Sequence, residues 1–127
     1  MEELIARVAA AIGVEAGVAK TAIGHVLGFL QKEFPEGPVA DLLGKIDGAQ
    51  ETIDGAADAG GGGAGGLLGG LLGGGLMGLA GKLNGLGLDM GQIRTLAKEV
   101  FGHAEGLIGK ENVDRIAASI PGLSQFL

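Results

Sequence analysis

The fold is decided by residues 89–108, which read DMGQIRTLAKEVFGHAEGLI. Apolar residues recur here every three or four positions, the spacing that places side chains on one face of an α-helix. They are Met90, Ile93, Leu96, Ala97, Val100, Phe101, Ala104, Leu107 and Ile108. Asp89 directly precedes the run and has the short acceptor side chain preferred at a helix N-cap. The stretch therefore predicts a long amphipathic helix.

An upstream stretch matches this one without a gap. Residues 15–34 read EAGVAKTAIGHVLGFLQKEF, at an offset of 89 − 15 = 74 positions, and have the same helical spacing. The match extends over residues 12–49 and 86–123, in which eight positions are identical: Gly13/Gly87, Gly17/Gly91, Thr21/Thr95, Val26/Val100, Gly28/Gly102, Val39/Val113, Ile46/Ile120 and Gly48/Gly122. Self-similarity at a fixed offset indicates repeated structural units. The alternative is coincidence in a composition rich in glycine and alanine.

Shorter helices are predicted on both sides of each long one. Residues 2–12 and about 76–85 supply the opening helices, and the closing helices run from Pro38 to about Ile46 and from about Asn112 to Ser119. Proline suits the first turn of a helix. The sequence thus predicts an all-α helical bundle of two duplicated three-helix units, residues 1–54 and 67–127. A Gly-rich linker, residues 55–66, joins the units into one compact domain.

The middle of the chain is unusually rich in glycine. The 23 residues between Asp58 and Lys82 carry no charge, and 13 of them are glycine. One interpretation is a flexible linker over residues 55–66, followed from Leu67 by a helix whose leucines enter the core. A second is a glycine-zipper helix over residues 59–81 that inserts into a membrane or oligomerises, although flanking basic clusters and interfacial Trp or Tyr are missing. A third is attachment to a membrane surface.

Two sets of residues are candidates for an interaction surface. Gly17, Thr21, Gly24 and Gly28 form a stripe of small residues along one side of the first long helix. Such a stripe allows another backbone to approach closely, and we expect it to pack inside the chain, with a homodimer seam as the alternative. The second set lies in the glycine-rich stretch, where Leu67, Leu68, Leu71 and Leu72 would meet either the core or lipid.

No residue pattern indicates catalysis, a cofactor or a metal. Gly61, Gly63 and Gly66 have the GxGxxG spacing, but no strand precedes them as a dinucleotide site requires. Glu99 and His103 lie one helical turn apart, and two ligands do not define a metal site. His25 occupies the position that matches Glu99, so the three could converge if the units pack about a pseudo-twofold axis. Ser119 and Ser124 lack a neighbouring base. We expect a protein that is not an enzyme.

Composition narrows the class of partner. The net charge is −6, with no basic surface of the kind that nucleic-acid binding requires. Aromatic residues are only 3% of the chain, so the core must be built mainly from Leu, Ile, Val and Ala. Cysteine is absent, which excludes disulfides and thiolate metal sites. The first residues include Glu2 and Glu3, where a secretory signal would have basic residues, so we expect a cytoplasmic protein.

Three short motifs in the second unit carry a family resemblance. They are Leu86-Gly87-Leu88-Asp89, Lys110-Glu111-Asn112-Val113 and Ile120-Pro121-Gly122-Leu123. With them the chain resembles the VcgC/VcgE-type bacterial proteins of unknown function, which also have a Gly/Leu-rich middle, and more loosely the YidB-like small helical bacterial proteins. The first unit departs from the closing motif, with Ile46-Asp47-Gly48-Ala49 in its place. The resemblance implies a bacterial, helical protein and no active-site residue.

These observations favour a non-enzymatic helical interaction or scaffold module of unknown partner. It would bind another protein or a second copy of itself, through the small-residue stripe or through apolar grooves between the units. The alternative is a membrane-associated protein that uses residues 59–81 as a glycine-zipper helix.

Overall fold

The computed structural model describes residues 2–34, 37–60 and 76–120. These ranges form seven α-helices and no strand, so the all-α prediction is confirmed. The helices are α1 (Glu2–Ile12), α2 (Ala16–Glu33), α3 (Pro38–Lys45), α4 (Ala49–Gly60), α5 (Leu76–Gly85), α6 (Met90–Ile108) and α7 (Lys110–Ser119). We call α1–α4 the N-terminal half and α5–α7 the C-terminal half.

The start of α6 has the cap that its sequence predicts. The Asp89 carboxylate accepts a hydrogen bond from the backbone N–H of Gln92 at 2.8 Å, and the Gln92 side-chain oxygen accepts one from the backbone N–H of Asp89 at 2.9 Å. This reciprocal capping box satisfies donors that have no partner within the helix. Gly109, with φ +88°, ends α6 and directly precedes α7. The last helix thus begins two residues before the predicted Asn112.

Proline and glycine separate α2 from α3. The C-cap residue of α2 is Phe34, whose backbone N–H donates to the carbonyl oxygen of Leu30 at 2.8 Å. Phe34 precedes Pro35 in the sequence, and the residue before a proline avoids helical angles. Gly37 then adopts a φ of +86°, and Pro38 opens α3 at a position where the missing N–H costs nothing.

Helix α4 runs past Asp54, the predicted end of the first unit. It begins after Gly48, which has a φ of +78°, and continues to Gly60, so residues 55–60 are helical where we expected the linker to start. The N-terminal half therefore has four helices. Tertiary packing overrides the poor helix propensity of the glycines, because Ala49, Ile53 and Ala56 share one buried face. Residues 61–66 of the predicted linker lie outside the described residues.

Corresponding positions in the two halves have similar local geometry at the offset of 74 residues. Gly13 and Gly87 follow the opening helices with φ of +67° and +91°. The hydroxyls of Thr21 and Thr95 each donate to the carbonyl oxygen four residues earlier at 3.0 Å. Ile46 and Ile120 cap the closing helices with φ, ψ of −99°, 111° and −103°, 113°. The order of α1–α3 and the backbone geometry that ends their helices therefore match those of α5–α7.

One hydrophobic cluster contains residues from both halves. Among its most buried members are Leu4, Val8, Ile23, Leu27, Leu30, Val39 and Leu42 of the N-terminal half and Leu83, Leu88, Leu96 and Val100 of the C-terminal half. Each such side chain contributes about 1.5–3 kcal/mol relative to exposure. Helix α1 packs against α2 and α6, α5 contacts the same two helices, and α3 packs against α6 and α7. Each of the two long helices, α2 and α6, therefore contacts the opening helices of both halves, α1 and α5.

Candidate interaction surface

The small-residue stripe of α2 is partly occupied by α4. A Cβ atom at position 24 would collide with the carbonyl oxygen of Thr52 and would lie 2.6 Å from the Cβ of Ala56. At position 28 it would lie 3.2 Å from Cγ2 of Ile53. Gly24 and Gly28 therefore allow α4 to approach α2 closely, and this half of the stripe forms a contact inside the chain.

The other half of the stripe is open. A Cβ atom at Gly17 would meet no atom within 4 Å, and Gly17 is exposed. The Thr21 hydroxyl donates to the carbonyl oxygen of Gly17 at 3.0 Å, so it is already bonded within its own helix. Gly17 and Thr21 thus lie outside the contact with α4.

The matching face of α6 has a different chemistry. Lys98 stands where α2 has Gly24, and Gly102 stands where it has Gly28. Both residues are exposed, and a Cβ atom at Gly102 would meet nothing within 4 Å. A charged side chain at the position that α4 requires to be glycine makes this face of α6 unsuited to a helix like α4.

Among the described residues, three polar contacts join the halves, all between N-terminal helices and α6. The Gln92 side-chain amide donates to the carbonyl oxygen of Ile12 at 2.8 Å. The Lys45 ammonium donates to the carbonyl oxygen of Leu107 at 2.9 Å. Leu107 is in the last turn of α6, where the negative end of the helix dipole favours a positive charge. In the third contact, Arg7 Nη2 lies 3.3 Å from Glu99 Oε2, with the two side chains 54% and 28% exposed. Exposed ion pairs stabilise weakly, so this one adds little to the free energy of unfolding.

The titratable residues that could converge, His25, Glu99 and His103, have different surroundings in the structure. His25 of α2 is 8% exposed, and burial lowers its pKa from 6.5, with the positive charge of Lys82 on α5 lowering it further. Glu99 of α6 instead pairs with Arg7 of α1. Burial also lowers the pKa of His103, and nearby positive charge, including that of Arg7, adds to this effect while Glu3 opposes it. In the described ranges no group of three or more His, Asp or Glu side chains is arranged to hold a metal ion.

Of the two serines considered in the sequence, Ser119 and Ser124, the structure describes only Ser119. The Ser119 hydroxyl donates to the carbonyl oxygen of Arg115 within α7 at 2.8 Å, as helix-bound serines commonly do. Ser124 lies outside the described residues, as do Leu67, Leu68, Leu71 and Leu72.

Within the described ranges, none of the helices combines the length and the apolar character that a membrane crossing requires.

Sequence reasoning missed the residues that meet the α2 stripe. Thr52, Ile53 and Ala56 face Gly24 and Gly28 from α4, a helix that we did not predict. The apolar spacing of Ala49, Ile53 and Ala56 was the available signal, and the neighbouring glycines masked it. The bonds of Gln92 and Lys45 to carbonyl oxygens of other helices have no signature in the sequence.

Comparison with known proteins returned no matching family model, no matching curated protein and no matching solved structure. The resemblance to the VcgC/VcgE-type and YidB-like proteins therefore stays a prediction.

Proposed function

We propose that this chain is a non-enzymatic helical interaction module that associates with a second copy of itself. The observation that carries the proposal is the crossing of the halves, in which α1 packs on α6 as well as on its neighbour α2, and α5 contacts α2 as well as α6. The chemistry of these contacts is that of a protein interface, with buried apolar side chains and a few polar bonds at the edge.

The duplicated units are part of this proposal. The geometry shared at the offset of 74 residues supports two copies of one α-helical unit, each of which buries its opening helix against the long helix of the other. Leu4 and Val8 of α1 are fully buried, and α1 packs against α6 of the other half as well as against α2. The faces of α1 and α6 that pack together are therefore complementary to a related unit, which is the property that self-association requires.

The stripe on α2 has a secondary role in the proposal. Gly24 and Gly28 serve the contact with α4, which leaves only Gly17 and Thr21 open to another molecule. Two small residues at one end of a helix offer little area, so we place self-association on the faces that pair the halves.

Light scattering coupled to size-exclusion chromatography tests the proposal. We expect the mass to rise above the 12.5 kDa of one chain as the protein concentration increases. A mass that stays at 12.5 kDa at every concentration would contradict self-association. The same measurement with vesicles of neutral and of anionic lipid provides a second readout, because co-elution with vesicles would favour the membrane-associated alternative instead.

A further inference from the structure

The tetrapeptide Ile-Asp-Gly-Ala occurs twice in the chain, at residues 46–49 and at residues 53–56. In both copies the isoleucine and the alanine are buried, and the aspartate and the glycine are exposed. The backbone around the two copies differs. Asp47 and Gly48 lie between α3 and α4, whereas Asp54 and Gly55 lie inside α4. The chain therefore presents one local sequence in two backbone environments.

An aspartate that precedes a glycine can rearrange its own backbone. The glycine nitrogen attacks the side-chain carboxyl carbon of the aspartate, because a glycine has no Cβ to hinder the approach. The new N–C bond closes a succinimide ring, and the hydroxyl of the protonated carboxyl group leaves with the amide proton as water. Water then opens the ring. Attack at the main-chain carbonyl carbon breaks the bond of that carbon to nitrogen, and the product is isoaspartate, whose backbone runs through the side-chain methylene.

Hydrogen bonding distinguishes the two aspartates. Within the described part of the chain, the backbone N–H of Gly48 donates to no backbone acceptor. The N–H of Gly55 lies inside α4, where each N–H donates to the carbonyl oxygen four residues earlier. The Asp54 carboxylate also accepts from the side-chain amide of Gln50 at 3.1 Å. Free space does not separate the sites, because an added Cβ atom meets nothing within 4 Å at either glycine.

We propose that Asp47 is a modification site, at which isoaspartate forms through a succinimide with Gly48 and loosens α4 from α2. The carbonyl oxygen of Gly48 accepts from the backbone N–H of Thr52 at 2.9 Å and from its hydroxyl at 2.8 Å. The carbonyl oxygen of Thr52 in turn lies against Gly24 of α2. Isoaspartate lengthens the backbone by one carbon atom directly before Gly48, so the first turn of α4 must shift relative to the buried Ile46.

Peptide mapping of the full chain tests the site. The folded protein is kept at physiological temperature and neutral pH over several weeks and is then cut with a glutamate-specific protease, which separates the two sites at Glu51. Electron-transfer fragmentation distinguishes isoaspartate from aspartate. We expect several-fold more isoaspartate at Asp47 than at Asp54. In urea, where the helices are lost, the two identical tetrapeptides should react at similar rates.

Hydrogen exchange tests the effect on α4. In the fraction of wild-type protein that carries isoaspartate at position 47, we expect the amides of α4 to exchange several-fold faster than in fresh protein, with those of α6 unchanged. Asp47→Glu is the matched control, because it keeps the charge but would have to close a larger, less favourable ring. Its α4 amides should exchange at the same rate before and after ageing. Asp47→Asn should form isoaspartate faster, because the same attack then releases ammonia.

The possible results are decisive for each part of the proposal. Isoaspartate at Asp47 that does not exceed the amount at Asp54 in the folded chain, including none at either site, would overturn the assignment of the site. Isoaspartate at Asp47 with unchanged exchange in α4 would overturn the loosening of α4. Neither result bears on self-association, on which this proposal does not depend.

Discussion

The side-chain amide of Gln92 donates a hydrogen bond to the carbonyl oxygen of Ile12, 2.8 Å away, and joins the first turn of α6 to the last residue of α1. The oxygen of the same amide accepts from the backbone N–H of Asp89. One side chain therefore caps the start of a helix in the C-terminal half and the end of a helix in the N-terminal half. Both bonds satisfy backbone groups that have no partner inside their own helices.

Gln92→Glu separates these two roles. A carboxylate still accepts from the N–H of Asp89, and acids are normally favourable in the first turn of a helix. It cannot donate to the carbonyl oxygen of Ile12, so we expect the free energy of unfolding to fall by about 0.5–1.5 kcal/mol. Urea denaturation measures the change. A variant as stable as the wild type, or more stable, would show that the bond between the halves is not formed.

Gly24→Ala and Gly102→Ala should change stability in opposite directions. Alanine in place of a helical glycine normally stabilises by roughly 0.5–1 kcal/mol, and we expect that gain at Gly102, where the added carbon meets open space. At Gly24 the same carbon collides with the Thr52 carbonyl oxygen, so α4 must shift and the variant should lose about 1–3 kcal/mol. Thermal unfolding of the matched pair tests the contact between α2 and α4. A gain at both positions would mean that α4 does not lie against Gly24.

His25 makes stability depend on pH. Burial and Lys82 lower its pKa below 6.5 in the folded chain, so below pH 6.5 the unfolded chain binds more protons at this residue. Its contribution is present above pH 6.5 and is lost as the pH falls toward the lowered pKa of the folded state. We expect the free energy of unfolding to decrease between about pH 7.5 and 5.5, and His25→Gln to reduce that slope.

The slope of His25→Gln should not vanish, because the pKa of His103 is lowered as well and contributes in the same direction. The double variant His25→Gln, His103→Gln isolates the two contributions, since the carboxylates that begin to titrate in this range are common to all the proteins compared. Equal slopes in the wild type and in His25→Gln would contradict the burial of His25.

Gly17→Gln distinguishes pairing of the halves from a seam on the open end of the α2 stripe. Glutamine adds bulk without charge, and position 17 has space for it. We expect the oligomeric mass to be unchanged, as it should be for the matched variant Gly102→Gln on α6. Loss of the oligomer in Gly17→Gln alone would instead support a homodimer seam through Gly17 and Thr21.

Helical periodicity gave the right fold class because it reports on local geometry. The spacing of Ile93, Leu96 and Val100 predicts α6, and Asp89 predicts its start, because both signals arise within a few residues of the chain. Helix α4 was missed because its stability comes from contact with Gly24 and Gly28, a distant part of the sequence. Its own residues include Gly55 and Gly60, which are poor helix formers.

The site was predicted only in part, for the same physical reason. The stripe on α2 could be recognised from its spacing, but which residues cover it depends on tertiary packing. The convergence of His25, Glu99 and His103 was a prediction about how the halves are arranged. In the structure, Glu99 pairs with Arg7 of α1, whereas burial and the positive charge of Lys82 on α5 lower the pKa of His25.

The crossing of the two halves is tested most directly by nuclear Overhauser effects from the Gln92 side-chain amide. In isotope-labelled protein we predict cross-peaks between its amide protons and backbone protons of Ile12 and Gly13. Cross-peaks to residues of α6 alone, with none to the end of α1, would contradict the pairing of α1 with α6 and the interaction surface built on it.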